Sequence, residues 1–183
     1  MQVEQRLLTA IRAAARPVVL IDGGSGSGKT TLATALAPAL GAQLVRLDDF
    51  YPGWDGLEAA SLQVKYDVLK PRHPRWRRWD WQLDAAAEWN EIDAAAPLVI
   101  EGSGCLSRVN RALATFAIWV ELDAVRRKVR ALLRDGDAYA PHWDRWARQE
   151  QAFAEREHPS QLADVILEDD DLATLVAGLT SRA

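Results

Sequence analysis

Residues 18–31 read Val18-Val19-Leu20-Ile21-Asp22-Gly23-Gly24-Ser25-Gly26-Ser27-Gly28-Lys29-Thr30-Thr31, and this run of side-chain types decides the fold. A short apolar run suits a strand buried on both faces. The turn after it fits the phosphate-loop pattern G-x-x-x-x-G-K-[ST]. Glycines let successive backbone N–H groups face one concavity, which receives phosphate oxygens. A helix starting near Gly28 adds the positive end of its dipole. Gly23, Gly24, Ser25, Gly26, Ser27, Gly28, Lys29, Thr30 and Thr31 are therefore expected to hold a nucleoside triphosphate, read as ATP. Lys29 would serve the β- and γ-phosphates, and the Thr30 hydroxyl would ligate Mg2+. A chance match in a surface loop would lack the buried strand before it and the helix directly after it.

Outward from this loop, apolar runs alternate with helical patterns. Helices are expected over 3–15, from Thr31 to near Gly41, and over 57–69, 107–114, 123–135, 141–157 and 170–179. Strands are expected over 18–22, 43–48, 97–102, 116–122 and 163–168. Such alternation predicts an α/β three-layer sandwich: a mostly parallel five-stranded sheet with helices on both faces and a small helical lid. Residues 76–81 and 88–92 alternate in part and are read as a hairpin, although 83–95 also suits a short alanine-rich helix. One domain over 1–183 is expected, with an acceptor-side insert near 52–95 and a lid near 126–157.

Composition narrows the class. The chain has 183 residues, 49% hydrophobic and 26% charged, a globular balance. A net charge of -4 argues against bulk nucleic acid as the main partner. No signal peptide is read at the N-terminus, and no apolar stretch nears the roughly 20 residues of a membrane span. The single Cys105 suits a reducing compartment and a buried position, so a cytoplasmic location is expected. The absence of N-K-x-D and L-S-G-G-Q runs weighs against guanine-nucleotide switches and transporter ATPases.

The phosphate loop, followed about twenty residues later by Leu47-Asp48-Asp49-Phe50-Tyr51, resembles the P-loop kinases of the uridine kinase and phosphoribulokinase group. That group carries G-x-S-x-S-G-K-[ST] and then an acid ahead of Phe–Tyr/His. The resemblance runs through Trp79-Asp80, Glu101-Gly102 and the arginines from Arg126 to Arg134, over most of residues 17–168. It implies an ATP-dependent transfer of phosphate to an alcohol on a small-molecule acceptor. It places the base on Asp48, the acceptor pocket at Tyr51, sugar-hydroxyl contacts on Asp80, and Glu101 near Mg2+. Asp48 is a second metal candidate, and Asp49 ranks below it. The Trp/Arg-rich insert departs from the group's nucleoside-recognition segment.

Arg126, Arg130 and Arg134 recur every four residues, so they share a helix face. Such a row would offset charge in a phosphoryl-transfer transition state, with Arg130 and Arg134 as catalytic candidates and Arg126 and Arg127 toward the substrate. A solvated helix face is the plainer use of any one of them. Arg145 and Arg148 are weaker candidates. Trp76, Trp79 and Trp81, interleaved with Arg75, Arg77 and Arg78, suit a stacked acceptor ring, a covered subdomain or a homodimer contact. The rival functions are an ATP-binding switch without an acceptor and a nucleic-acid end kinase.

Overall fold

The computed structural model describes residues 3–181. Strand β1 (Val18–Asp22) is buried along its whole length. Its side chains alternate between two cores, as the period of two requires. Val18 and Leu20 join one cluster, and Val19 and Ile21 the other. β5 (Leu98–Glu101) and β6 (Phe116–Val120) flank β1, while β2 (Gln43–Arg46) and β7 (Val165–Leu167) close the edges. The order is β2-β5-β1-β6-β7, and every pairing is parallel. The expected sandwich is therefore present.

Helices α1 (Val3–Ile11), α2 (Lys29–Leu40) and α8 (Asp169–Thr180) cover one face through Leu7, Ile11, Leu32, Leu36 and Leu175. Helices α3 (Leu57–Gln63), α5 (Ala124–Asp135) and α6 (Trp143–Glu157) cover the other through Leu57, Ala131 and Phe153. Two short helices, α4 (Arg108–Arg111) and α7 (Pro159–Leu162), fill connections. β1 leads through α2 to β2, which lies beyond β5, so the chain leaves a crevice at the carboxyl ends of these strands. No helix among the described residues is long and apolar enough to cross a membrane.

Several boundaries differ from expectation. β2 stops at Arg46, and Leu47–Asp49 form one 3-10 turn. The Leu47 carbonyl accepts from both Phe50 N and Tyr51 N, which swings Phe50 and Tyr51 into the core. Asp48 thus sits on a turn past the strand rather than on its last residue. The helix expected over 57–69 widens to a π turn at Val64–Val68 before Pro71. Helix 3–15 ends at Ile11, and Ala13 N bonds back to Ala10 O to close its last turn. Helix 107–114 shortens to α4, with Ser107 accepting from Asn110 N. The hairpin forms as β3 (Arg75–Asp80) and β4 (Ala85–Glu91), with an irregularity between Arg77 and Trp79.

Leu20 is fully buried at the centre of the sheet. Leu20→Ala should cost about 2–5 kcal/mol, the range for a buried leucine that leaves a cavity. Leu83, 77% exposed on the hairpin turn, should cost little when changed to alanine. Urea denaturation of the two variants checks both.

Candidate active site

The phosphate loop follows β1 directly, and α2 begins at Lys29 with Gly28 as its N-cap. Gly28 has a φ of 108°, a conformation that favours glycine. Gly26 is needed on two counts: its φ is 82°, and a Cβ there would collide with the backbone carbonyl of Arg127, which α5 lays over the loop. Arg127 Nη1 donates to Ser25 O at 3.3 Å and pairs with Glu150 Oε2 at 3.1 Å.

Lys29 is buried at 7% exposure, and its ammonium donates to Gly24 O at 3.1 Å and Ser103 Oγ at 3.3 Å. Thr30 Oγ1 donates to Glu101 Oε1 at 2.9 Å. Glu101 ends β5 and is buried, which raises its carboxyl above the usual range. Arg46, its register partner on β2, lies 3.7 Å from the same oxygen. Two hard oxygen donors therefore stand side by side at the helix start, an arrangement that could hold magnesium together with phosphate oxygens.

A cavity of about 780 Å³ opens from this point. Lys29, Thr30, Glu101, Asp48 and Tyr51 all line it. They come from three separate segments, so their meeting is a property of the fold. Asp48 is exposed on its turn and faces this cavity, while its backbone carbonyl accepts from Trp81 Nε1 at 3.1 Å. Tyr51 is buried and donates its hydroxyl to Ser103 O at 2.8 Å; burial pushes its pKa up. Asp49 is half-buried, and burial raises its carboxyl too.

Other expected site residues lie elsewhere. Asp80 does not line the cavity. It closes the hairpin turn, its Oδ1 accepting from Gln82 N and Leu83 N at 3.0 Å, and it pairs with Arg78 at 3.6 Å. Its neighbour Trp81 reaches the cavity instead. The row on α5 does not act as one. Arg126 and Arg130 both turn to Asp169 at the start of α8, and only Arg134 reaches the cavity, where it pairs with Asp135. Arg145 pairs with Asp55. Thr31 is exposed in the first turn of α2. The Trp/Arg patch divides: Trp76 packs near Phe50, and Arg75 lies over the Trp89 ring.

Sequence reasoning did not single out Arg46, Ser103 or Glu150, nor Trp54, Tyr139 and Trp146 as cavity residues. Glu150 Oε1 accepts from Ser25 N at 2.6 Å and Trp146 Nε1 at 3.0 Å, and lies 2.9 Å from Ser103 Oγ. The i, i+4 spacing of Trp146 and Glu150 was visible, but its partner was not. The aromatic wall is held by its own stacking. Trp54 stacks on His142 at 4.3 Å and on Tyr139 at 5.4 Å, and Tyr51 meets Trp146 edge-on at 4.6 Å.

Asp22 ends β1 beneath the loop and is fully enclosed. It accepts from Gly23 N at 2.7 Å, Leu106 N at 2.8 Å and Gly104 N at 3.1 Å. Burial raises its carboxyl to about 6, against the opposing pull of those amides and of Lys29. A pKa raised on folding means the folded chain holds the proton longer. The stability this proton brings is complete below the ordinary value of 3.8 and is lost as pH rises through about 6. A carbon-13 NMR titration should find the Asp22 carboxyl near 6, and Lys29→Ala should move it higher because the ammonium that opposes the rise is gone. A titration at the ordinary aspartate position would contradict this.

The sequence matches no protein-family model. Over 133 residues it is 32% identical to a tRNA dimethylallyltransferase from Chlorobium phaeobacteroides (strain BS1), covering 67% of this chain and 41% of that protein. The chain thus spans less than half the length of that relative. A structure described as a possible uridine kinase from Bacillus stearothermophilus superposes with a TM-score of 0.60 at 21% identity, covering 90% of this chain and 96% of that one. A sugar kinase from Janibacter sp. HTCC2649 gives 0.51 at 19% identity, over 91% of each chain. Shikimate kinase from Acinetobacter baumannii, in complex with shikimate, gives 0.52 at 15% identity, over 98% and 96%. With its parallel order β2-β5-β1-β6-β7 and the phosphate loop leaving β1, the chain has the fold of the P-loop kinases.

Proposed function

We propose that this protein is an ATP-dependent kinase that moves the γ-phosphate of ATP to an alcohol on a small molecule. The observation that carries the reading is the shared cavity: Lys29, Thr30 and Glu101 stand at its phosphate end, and Asp48 and Tyr51 line the same space. A switch that only binds nucleotide needs room for the phosphates, ribose and base, but none beyond the γ-phosphate. A kinase needs that further room for the acceptor.

The loop amides and Lys29 would bind the β- and γ-phosphates. Thr30 and Glu101 would hold magnesium, with Asp48 as a further oxygen donor at the same end. Bound there, the metal would neutralise charge on the phosphates. Asp48 would take the acceptor's proton as the hydroxyl attacks, since its carboxylate faces the cavity from an exposed turn. Arg134, at the cavity edge, would meet the transferring phosphoryl group after leaving Asp135. Arg127 acts from the other side, holding the loop through Ser25 O. The segment from α5 to α6 would serve as the lid. α5 buries only Ala131 and leaves Val125 and Leu133 more than 70% exposed, so little packing holds it in place.

A second reading comes from the match to a tRNA dimethylallyltransferase: transfer of a dimethylallyl group to tRNA, with the loop holding the donor's diphosphate. Incubation with dimethylallyl diphosphate and tRNA tests it directly. Group transfer to the RNA without any ATP consumption would displace the kinase reading.

Lys29→Ala should abolish most ATP binding and leave the thermal midpoint near that of the parent. Asp48→Asn should keep ATP binding and lower transfer by about 10²–10⁴-fold, the range for a positioned base. Calorimetry for binding and a coupled ADP assay across nucleosides, sugars and vitamins supply both measurements. Near-normal turnover in Asp48→Asn would remove the base role from this residue.

A further inference from the structure

Three cations line the cavity, Lys29, Arg46 and Arg134, and they are not equally occupied. Lys29 donates to Gly24 O and Ser103 Oγ, and Arg134 donates to Asp135. Arg46 differs. Its Nε is buried without a hydrogen-bond partner. Glu101 Oε1, at 3.7 Å, is beyond hydrogen-bond range and belongs to the one carboxylate within 4 Å of Arg46 among the described residues. A buried guanidinium nitrogen left unpaired is costly, so such a group calls for an anion that completes it.

Position decides which anion. Arg46 ends β2 in register with Glu101 on β5 and, through it, with Ile21 on β1. Val45 packs into the core on the α3 and α6 side, and Leu44 against the core on the α2 side. The period of two therefore turns Arg46 toward α2, as it turns Glu101. At the start of that helix, Thr30 Oγ1 donates to the same Glu101 oxygen that Arg46 approaches. One carboxylate oxygen thus separates the guanidinium from the first turn of α2, where the phosphates would sit. Glu101 is also the carboxylate proposed to hold magnesium. Shared with a divalent cation, it cannot balance Arg46 as well. The γ-phosphate can, since it brings excess negative charge to the same place.

We infer that Arg46 is a catalytic arginine whose guanidinium contacts the γ-phosphoryl group during transfer; the assignment rests on the kinase reading. It complements Arg134 rather than duplicating it. Arg134 rides on α5 and must leave Asp135. Arg46 stands on the sheet, fixed by the pairing of β2 with β5, and its Nε has no hydrogen bond to give up. A charge held in place beforehand needs no reorganisation as the phosphoryl group moves.

The test compares nucleotides with and without the γ-phosphate, so the binding arm needs no acceptor. Calorimetry on the whole protein, with magnesium, measures ADP and the imidotriphosphate analogue of ATP, which resists hydrolysis. Arg46→Met should weaken the analogue by about tenfold or more and ADP by less than about twofold, the pattern of a lost charge-assisted bond to the γ-phosphate. Arg46→Lys keeps the charge but not the fork, so its preference for the analogue should fall between those of the parent and Arg46→Met. It also keeps the comparison available if the methionine variant does not fold. Thermal midpoints near the parent's are expected, because the side chain is 41% exposed. In the coupled ADP assay Arg46→Met should lower kcat by about 10³-fold, the low end for an arginine that meets the transferring group. Equal weakening of both nucleotides, relieved by added magnesium, would mean that Arg46 only balances Glu101, and overturns the inference. An unchanged preference for the analogue overturns it too, and both results leave the kinase reading standing. A parent protein that binds both nucleotides yet transfers phosphate to no acceptor overturns the kinase reading and, with it, the catalytic role of Arg46.

Discussion

The carboxylate of Asp22 is the point on which the nucleotide end of the molecule depends. It ends the central strand, and it ties together two loops that share no sequence neighbourhood. One bond goes to Gly23 at the start of the phosphate loop, and two more residues, Gly104 and Leu106, bind it from the segment after β5. Without such an acceptor these buried amides would be unpaired, at a cost of about 1–3 kcal/mol each. The arrangement also seats Ser103 between the Lys29 ammonium and the Gly23 carbonyl. The position of the lysine is therefore set from below by a group that never needs to touch phosphate.

Above the loop a second buried carboxylate does the matching work. Glu150 receives the Ser25 amide, the Trp146 indole and the Arg127 guanidinium. Its side chain is 11% exposed and that of Arg127 19%, so the pair is shielded from the screening that weakens surface ion pairs. Removing one partner would leave the other charge buried. Both arms of the α5–α6 segment are thereby fastened to the outer side of the phosphate loop, although α5 itself buries almost no apolar surface.

Legibility in the sequence followed the range of each interaction. The phosphate loop was readable because all of its parts are contiguous: strand, glycines, lysine and helix start lie within residues 18–40. The five strands were readable from their apolar runs, and the hairpin from partial alternation. Asp48 was expected on the last residue of a strand and lies on a turn just past it, because two adjacent aspartates favour a turn over a strand end. Asp80 was misplaced for the same reason in reverse. An aspartate before a tight turn binds the next amides, and that local bond took its carboxylate away from the cavity. The arginine row showed another limit. Periodicity says which side chains share a helix face, but Asp169, 39 residues beyond Arg130, decides where two of them go. No sequence spacing announces such a partner.

The aromatic wall adds a constraint that neither end of the chain could show alone. Trp54 belongs to the segment after Tyr51, Trp81 to the hairpin, and Tyr139 and Trp146 to the arm that also carries Glu150. One element therefore both closes the aromatic side of the cavity and grips the phosphate loop. Displacing it would open the aromatic wall and remove Glu150 from Ser25 at the same time. Phosphoryl transfer without hydrolysis requires water to be absent when the γ-phosphate becomes reactive. On the proposed kinase reading, joining the two contacts on one arm makes a fastened phosphate loop and a closed wall beside the acceptor the same structural event, because one segment carries both the rings that meet Trp54 and the carboxylate that holds Ser25.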